Sequence, residues 1–167
     1  MNNTTISPLK LGDMKATAKL WHDGWHETHD HLVPPHPPNE RSLDRFKERL
    51  SESQDRPRIA SYQDQPAGLC IIENDEVAQL FVANHCQGLG LGQKLLIDAG
   101  NRIKQNSFSH AWLTVVVGND PARAFYEQCS WAVVSTLDVN LRGAQTGGIT
   151  LKMWRMEKAV GRASKKT

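Results

Sequence analysis

The stretch "QLFVANHCQGLGLGQKLL" constrains this chain more than any other. An apolar, strand-like segment ends near Val82. A short loop follows, with glycines at 88, 90 and 92, and then an amphipathic helix begins. Glycine permits strained backbone angles and close approach to the main chain. A helix start presents unpaired N–H groups and the positive end of the helix dipole. Strand, glycine loop and helix start in that order make an anion site, most naturally for phosphate or pyrophosphate.

The flanking patterns say where that loop sits. "TISPLKL" reads as a first strand, and a helix is expected from Asp13, with Asp13 as its cap. Met14, Ala18, Trp21 and Trp25 recur at i, i+4, i+7 and i+11, one narrow stripe at about 100° per residue, and should face the core. "VPPHPP" must end that helix. "NERSLDRFKERLSES" predicts a second helix with Leu43, Phe46 and Leu50 on one side. "RIASYQ", "AGLCIIEN" and "EVAQLFVAN" predict three strands, the last two joined by a hairpin at "NDE". After the glycine loop comes a helix whose Leu95, Leu96, Ala99 and Ile103 should face inward. "HAWLTVVVG" has the unbroken apolar character of a buried central strand. "NDPARAFYEQC" predicts a helix capped by Asp120 with Pro121 at its first position, and with Ala122, Phe125, Tyr126 and Cys129 on one face. "WAVVSTLDV" and "ITLKMWRME" predict two final strands, joined by the loop "RGAQTGG". The order suits a mixed sheet with helices on both faces.

A length of 167 residues favours one domain, expected over 1–157, with 158–167 as a flexible tail carrying part of the basic excess. A net charge of +2 gives no case for nucleic acid as partner. No apolar run approaches the roughly 18 residues of a membrane span, and the N-terminus lacks a signal-peptide pattern. Cys70, Cys86 and Cys129 form no C-x-x-C pair, which fits reduced thiols in a cytoplasmic protein.

Three loop types compete for the glycines. A P-loop needs Gly-Lys-Ser/Thr, which does not occur. A dinucleotide fingerprint needs G-x-G-x-x-G after the first strand of its unit, whereas here G-x-G-x-G follows the fourth. Gln87-Gly88-Leu89-Gly90-Leu91-Gly92 matches the third in full: the Gln/Arg-x-x-Gly-x-Gly/Ala loop of the GCN5-related N-acetyltransferases (GNAT). Asn119, Ala122, Phe125 and Tyr126 match the Asn-x-x-Ala-x-x-Phe/Leu-Tyr that this family carries on its next strand and helix. The chain resembles that family over about residues 5–156, specifically in 76–131. Ser130-Trp131 replaces the usual Gly-Phe, and Gln87 the commoner Arg.

The resemblance implies an α/β fold of the α+β kind, with a mixed, mostly antiparallel sheet of about six to seven strands and helices on both faces. It also implies acetyl-CoA as co-substrate and direct acetyl transfer to an amine of a small molecule or protein. By position, Gln87, Gly88, Leu89, Gly90, Leu91, Gly92 and Gln93 would hold the pyrophosphate through backbone N–H groups. Lys94 at the helix start could add charge. The backbone from Leu80 to Val82 would pair with the pantetheine arm, and Ala122 would border it; the Asn119 side chain would hydrogen-bond the arm, help fix the strand end, or simply cap the helix it precedes. Tyr126 would protonate the leaving thiolate as general acid, a phenol near ~10 serving a thiol near ~8.5. Glu76, with Glu73 near it, is a candidate base. No cysteine stands out as a nucleophile. Homodimers are common in the family, while neither nucleic acid nor membrane is implied. A non-catalytic acyl-CoA sensor is the alternative from another class.

The stretch "WHDGWHETHDH", residues 21–31, remains. Five of the seven histidines lie between positions 22 and 36. His22, His26 and His29 share a face roughly 90° from the tryptophan stripe. They could bind a metal, face solvent, or wall the acceptor pocket. "HETH" is not H-E-x-x-H, so no metal is assigned. In the family this region covers the acceptor side, which makes Trp25, His26 and His29 candidates for that wall.

Overall fold

A computed structural model describes residues 3–33, 41–140 and 150–161. Its elements are β1 (Thr4–Pro8), α1 (Met14–His29), α2 (Leu43–Glu52), β2 (Arg58–Tyr62), β3 (Gln65–Glu73), β4 (Glu76–Val82), α3 (Leu91–Gln105), β5 (His110–Val116), α4 (Asp120–Gln128), β6 (Ala132–Asn140) and β7 (Thr150–Ala159). The seven strands form one sheet in the order β1-β2-β3-β4-β5-β7-β6. Every neighbouring pair is antiparallel except β4 with β5. The expected architecture is therefore present.

Strand periodicity sends alternate side chains to two cores. β3 is buried on both faces, as a central strand should be. Its Leu69 and Ile71 meet Trp21, Trp25, Phe46 and Leu50 of α1 and α2. Its Cys70 and Ile72 meet Leu95, Leu96, Ala99 and Ile103 of α3, with Ala122, Phe125, Tyr126 and Cys129 of α4 packed alongside. The tryptophan stripe thus faces inward as its spacing predicts, and Trp21 lies edge-on to Phe46 at 4.8 Å between ring centroids.

Several local expectations are corrected. β1 stops at Pro8, and the chain enters α1 through a 3-10 turn, Leu11–Asp13. Asp13 occupies the cap position with helical backbone angles, and its carboxylate accepts no capping hydrogen bond. Asn119, not Asp120, caps α4, its side-chain oxygen accepting from the Ala122 N–H. Leu43 sits in the exposed first turn of α2, so only Phe46 and Leu50 anchor that helix. Ordered structure continues past residue 157: Lys158 and Ala159 belong to β7, and the Val160 N–H donates to the Ser109 carbonyl. Residues 162–167 of the expected tail, the "RGAQTGG" loop and the prolines of "VPPHPP" lie outside the described residues. α1 ends at His29, ahead of those prolines. Among the described residues no helix is long and apolar enough to cross a membrane.

Candidate functional site

β4 and β5 share a single register pair, Glu76 with Trp112. That end is reinforced: the Trp112 backbone N–H donates to the Asp75 carbonyl, and its indole N–H donates to the Asp75 carboxylate, both at 3.0 Å. The Arg155 guanidinium lies over the Trp112 ring at 4.2 Å. Toward their other ends the two strands separate. Ala78 has no partner on β3, because Ile71 opposes Gln79 while Ile72 opposes Val77. Such a bulge bends a strand and strengthens its twist. A cavity of about 700 Å³ fills the wedge, walled by β4, β5, α4, the glycine loop and one face of α1.

The glycine loop closes the wide end. A 3-10 turn, Asn84–Cys86, buries Cys86 and sends the chain into Gly88 and Gly90, which take φ of 80° and 78°. A side chain there would cost roughly 1–2 kcal/mol of backbone strain. Gly90 is the N-cap of α3 and supplies no capping side chain. The first-turn N–H groups of Leu91, Gly92 and Gln93 therefore precede the first helical bond, from the Lys94 N–H to the Gly90 carbonyl at 3.0 Å. Gly92 has a different role: a Cβ there would lie 2.9 Å from Phe125 Cζ, so its bareness lets α4 sit against the start of α3.

Of the residues singled out from the sequence, Leu80, Val82, Gln87, Gly88, Gly90, Leu91, Gly92, Gln93, Asn119, Ala122 and Tyr126 all line this cavity. Leu89 does not; it packs against the core beneath α3. Lys94 is turned away as well, its ammonium donating to the Thr4 hydroxyl at 2.6 Å. Glu76 stays at the closed end of the wedge, outside the cavity lining. Burial, followed by Glu73 and Asp75, pushes its carboxyl above the usual range, and Arg155 opposes that shift.

Tyr126 is half-buried, edge-on to Phe125 and Trp131, and its hydroxyl makes no hydrogen bond to any described residue. Desolvation pushes the phenol well above its ordinary value, so it keeps its proton at neutral pH. Burial likewise raises the Cys70 thiol to about 12 and raises that of Cys129, which leaves both unsuited to nucleophilic attack.

The histidine-rich helix divides. His22 and His26 lie 4.5 Å apart with their rings tilted at 56°, and both lie edge-on to Phe46 on the α2 side. His26 Nε2 contacts the Arg41 carbonyl at 2.8 Å, and its Nδ1 contacts the Asp30 carboxylate. Neither histidine lines the cavity, and Trp25 is core beneath it. His29 does line it, stacked on Trp25 at 5.1 Å and 19°. Gly24, Glu27 and Thr28 join it there. The sequence held a signal for these three, since they lie at i, i+3 and i+4 on one helix face. Gly24 lets α1 approach β4, its absent Cβ falling 3.0 Å from Phe81 Cδ1. The Glu27 carboxylate accepts from the Asn84 side-chain amide, and Asn84 accepts in turn from Gln87 at 3.1 Å. Helix α1 and the glycine loop are thereby tied together. Among the described residues, no three His, Cys, Asp or Glu side chains gather to hold a metal ion.

Comparison with known proteins follows the same lines. YjaB from Escherichia coli, solved in its apo form, superposes with a TM-score of 0.71 at 20% identity, covering 96% of this chain and 99% of that one. The ribosomal-protein-S18-alanine N-acetyltransferase from Escherichia coli gives 0.69 at 20% identity, with 99% of each chain covered. PaiA N-acetyltransferase from Thermoplasma acidophilum, solved with coenzyme A, gives 0.69 at 18% identity, covering 94% of this chain and 99% of that one. At such identities the likeness is one of fold. No curated protein sequence matches the chain. The profile of the acetyltransferase (GNAT) family matches residues 21–131, from the first tryptophan of α1 to Trp131, just ahead of β6. That span holds the glycine loop, the β4/β5 wedge and Tyr126, and it covers most of the sequence: the chain belongs to the acetyltransferase (GNAT) family.

Proposed function

We propose that the chain transfers the acetyl group of acetyl-CoA directly to a primary amine of a small molecule or protein, with Tyr126 as general acid. One observation carries this reading. The β4/β5 wedge runs from an uncapped, glycine-bounded helix start to a protonated, otherwise unbonded phenol within a single cavity. Bound acetyl-CoA supplies an activated thioester: a C–N bond forms, the C–S bond breaks, and a proton passes from nitrogen to sulfur.

The chain's own groups suit each requirement. The N–H groups of Leu91, Gly92 and Gln93, with the backbone of the loop before them, would hold the pyrophosphate. The edge of β4 from Leu80 to Val82, left unpaired by β5, would hydrogen-bond the pantetheine arm as an added strand. The Asn119 carbonyl is engaged in capping α4, which leaves its amide donors for the arm. A backbone N–H near Val82 would stabilise the oxyanion. Tyr126 would deliver its proton as thiolate charge develops. With Cys70 and Cys86 buried and burial pushing the Cys70 and Cys129 thiols upward, direct transfer is favoured over an acyl-enzyme.

The test measures CoA-thiol release from acetyl-CoA with spermidine, tyramine, free amino acids and peptides bearing N-terminal alanine. Tyr126→Phe is then assayed on the best acceptor. Turnover should fall by about 10²-fold or more while CoA affinity holds. Undiminished turnover removes the general-acid role. CoA binding with no turnover of any amine would instead favour an acyl-CoA sensor, and failure to bind CoA would remove both.

A further inference from the structure

Resting on acetyl transfer to an amine, we propose that His29 is the general base of this site, with Glu27 of the same cavity lining drawing the cationic acceptor in. His29 is the last residue of α1 and shares the cavity with Tyr126 and the β4 edge. Its Nδ1 lies 3.1 Å from the Trp25 backbone carbonyl. A carbonyl only accepts, so Nδ1 carries the hydrogen, and the lone pair of the neutral ring resides on Nε2. No described residue donates to that nitrogen. The ring is fixed in place by stacking on Trp25 and by Phe81, whose ring lies 6.2 Å away. An imidazole in a cavity wall, with one nitrogen anchored to a carbonyl and the other without a described donor, is suited to accept a proton.

The electrostatics agree. Burial holds the His29 imidazole below its ordinary range against the opposing hydrogen bond to the Trp25 carbonyl; Arg41, poised over Trp25, and His31 push the same way as burial, and Asp30 opposes them. The ring is therefore neutral at pH 7. Glu27 is the one carboxylate among the described residues lining the cavity, and no described lysine or arginine lines it. The acceptor end thus attracts a cation and offers no partner for a carboxylate or phosphate. Glu76 lies outside the lining, at the closed end.

The proton balance closes. The acceptor ammonium first gives one proton to solvent; as the freed amine nitrogen bonds to the thioester carbon it becomes cationic again, and a second proton passes to His29 Nε2. As the C–S bond breaks, the sulfur takes the Tyr126 proton. Imidazolium and phenolate then neutralise each other through solvent.

Two measurements test this on the full chain. Two-dimensional ¹⁵N NMR of the imidazoles, which needs no acceptor, should find His29 in the Nδ1–H form at pH 7; the Nε2–H form overturns the proposal. In acetylation of the best amine from the spermidine, tyramine, amino-acid and peptide panel, His29→Gln should lower kcat/KM by about 10²-fold and abolish its fall toward acid pH. CoA affinity should be unchanged, and added imidazole should restore turnover to His29→Ala. A His29→Gln enzyme with the parent rate and pH profile overturns the base. Loss of CoA binding in that variant assigns His29 a structural role and also overturns it. If the parent chain turns over no amine, acetyl transfer itself fails, and the base falls with it.

Discussion

Helix α3 contains two glycines whose replacement by alanine should have opposite consequences. In the interior of a helix, alanine is favoured over glycine by about 1 kcal/mol. At Gly100 the new Cβ would meet Val160 Cγ1 at 3.4 Å, an ordinary contact, so Gly100→Ala should gain up to that amount. At Gly92 the new Cβ would meet Phe125 Cζ at 2.9 Å, so the Phe125 ring, itself edge-on to Tyr126 at 5.3 Å, would have to shift. Overpacking of this kind costs about 1–3 kcal/mol, which outweighs a propensity gain already reduced at the helix start. The two variants should therefore differ by about 1–4 kcal/mol. For a domain of this size each kcal/mol moves Tm by about 2–4 °C. Thermal unfolding followed by circular dichroism, with CoA titrated calorimetrically into each variant, reads both consequences. Gly92→Ala should lower Tm and weaken CoA binding, Gly100→Ala should do neither, and adding Phe125→Leu to Gly92→Ala should recover part of the loss. If Gly92→Ala proves as stable and as competent as Gly100→Ala, close approach of α4 is not the reason for glycine at that position.

Other expectations are more direct. Trp21→Ala removes a fully buried ring packed against Phe46 and should cost about 3–5 kcal/mol in chemical denaturation, with the loss carried by the α1/α2 face. His29 has a lower pKa folded than unfolded, so the unfolded chain binds the extra proton first; stability should be complete above the ordinary imidazole range and decline as pH falls through it. His29→Gln should flatten that part of the stability profile, measured by urea unfolding between neutral and mildly acid pH. Cys129 is half-buried on the cavity wall while Cys70 and Cys86 are buried, so mass spectrometry after brief alkylation should find Cys129 labelled first, and CoA should protect it.

The elements were legible wherever one face of a regular segment had a single task. The stripe Met14, Ala18, Trp21, Trp25 and the inward set of α3 obey helical spacing because each meets one flat sheet face. The glycine loop was legible because backbone geometry leaves it little choice of residue. The acceptor side was harder to read for physical reasons. His22, His26 and His29 share a helical face by spacing, yet the end of α1 projects beyond α2, so the first two meet Phe46 while the third meets β4. Nothing in the sequence pattern joins Glu27 to Asn84, 57 positions away, whose side-chain amide donates to its carboxylate. The caps misread at Asp13 and Asp120 reflect backbone angles that composition does not encode.

A sheet spliced by a single β4/β5 pair has an uneven response to solvent. The β4 amides directed at β3 are locked in a ladder, whereas those directed across the wedge beyond Glu76 meet no strand. In hydrogen exchange the two sets should alternate along the same strand, slow then fast, in the free protein. A ligand that laid its own amides along that edge would slow the fast set and knit the β1–β4 and β5–β7 halves into one cooperative unit. At a hundred times its dissociation constant such a ligand would add about 2.7 kcal/mol to the stability of the whole. The gap in the sheet is in this sense a place kept for a strand that the chain does not itself encode.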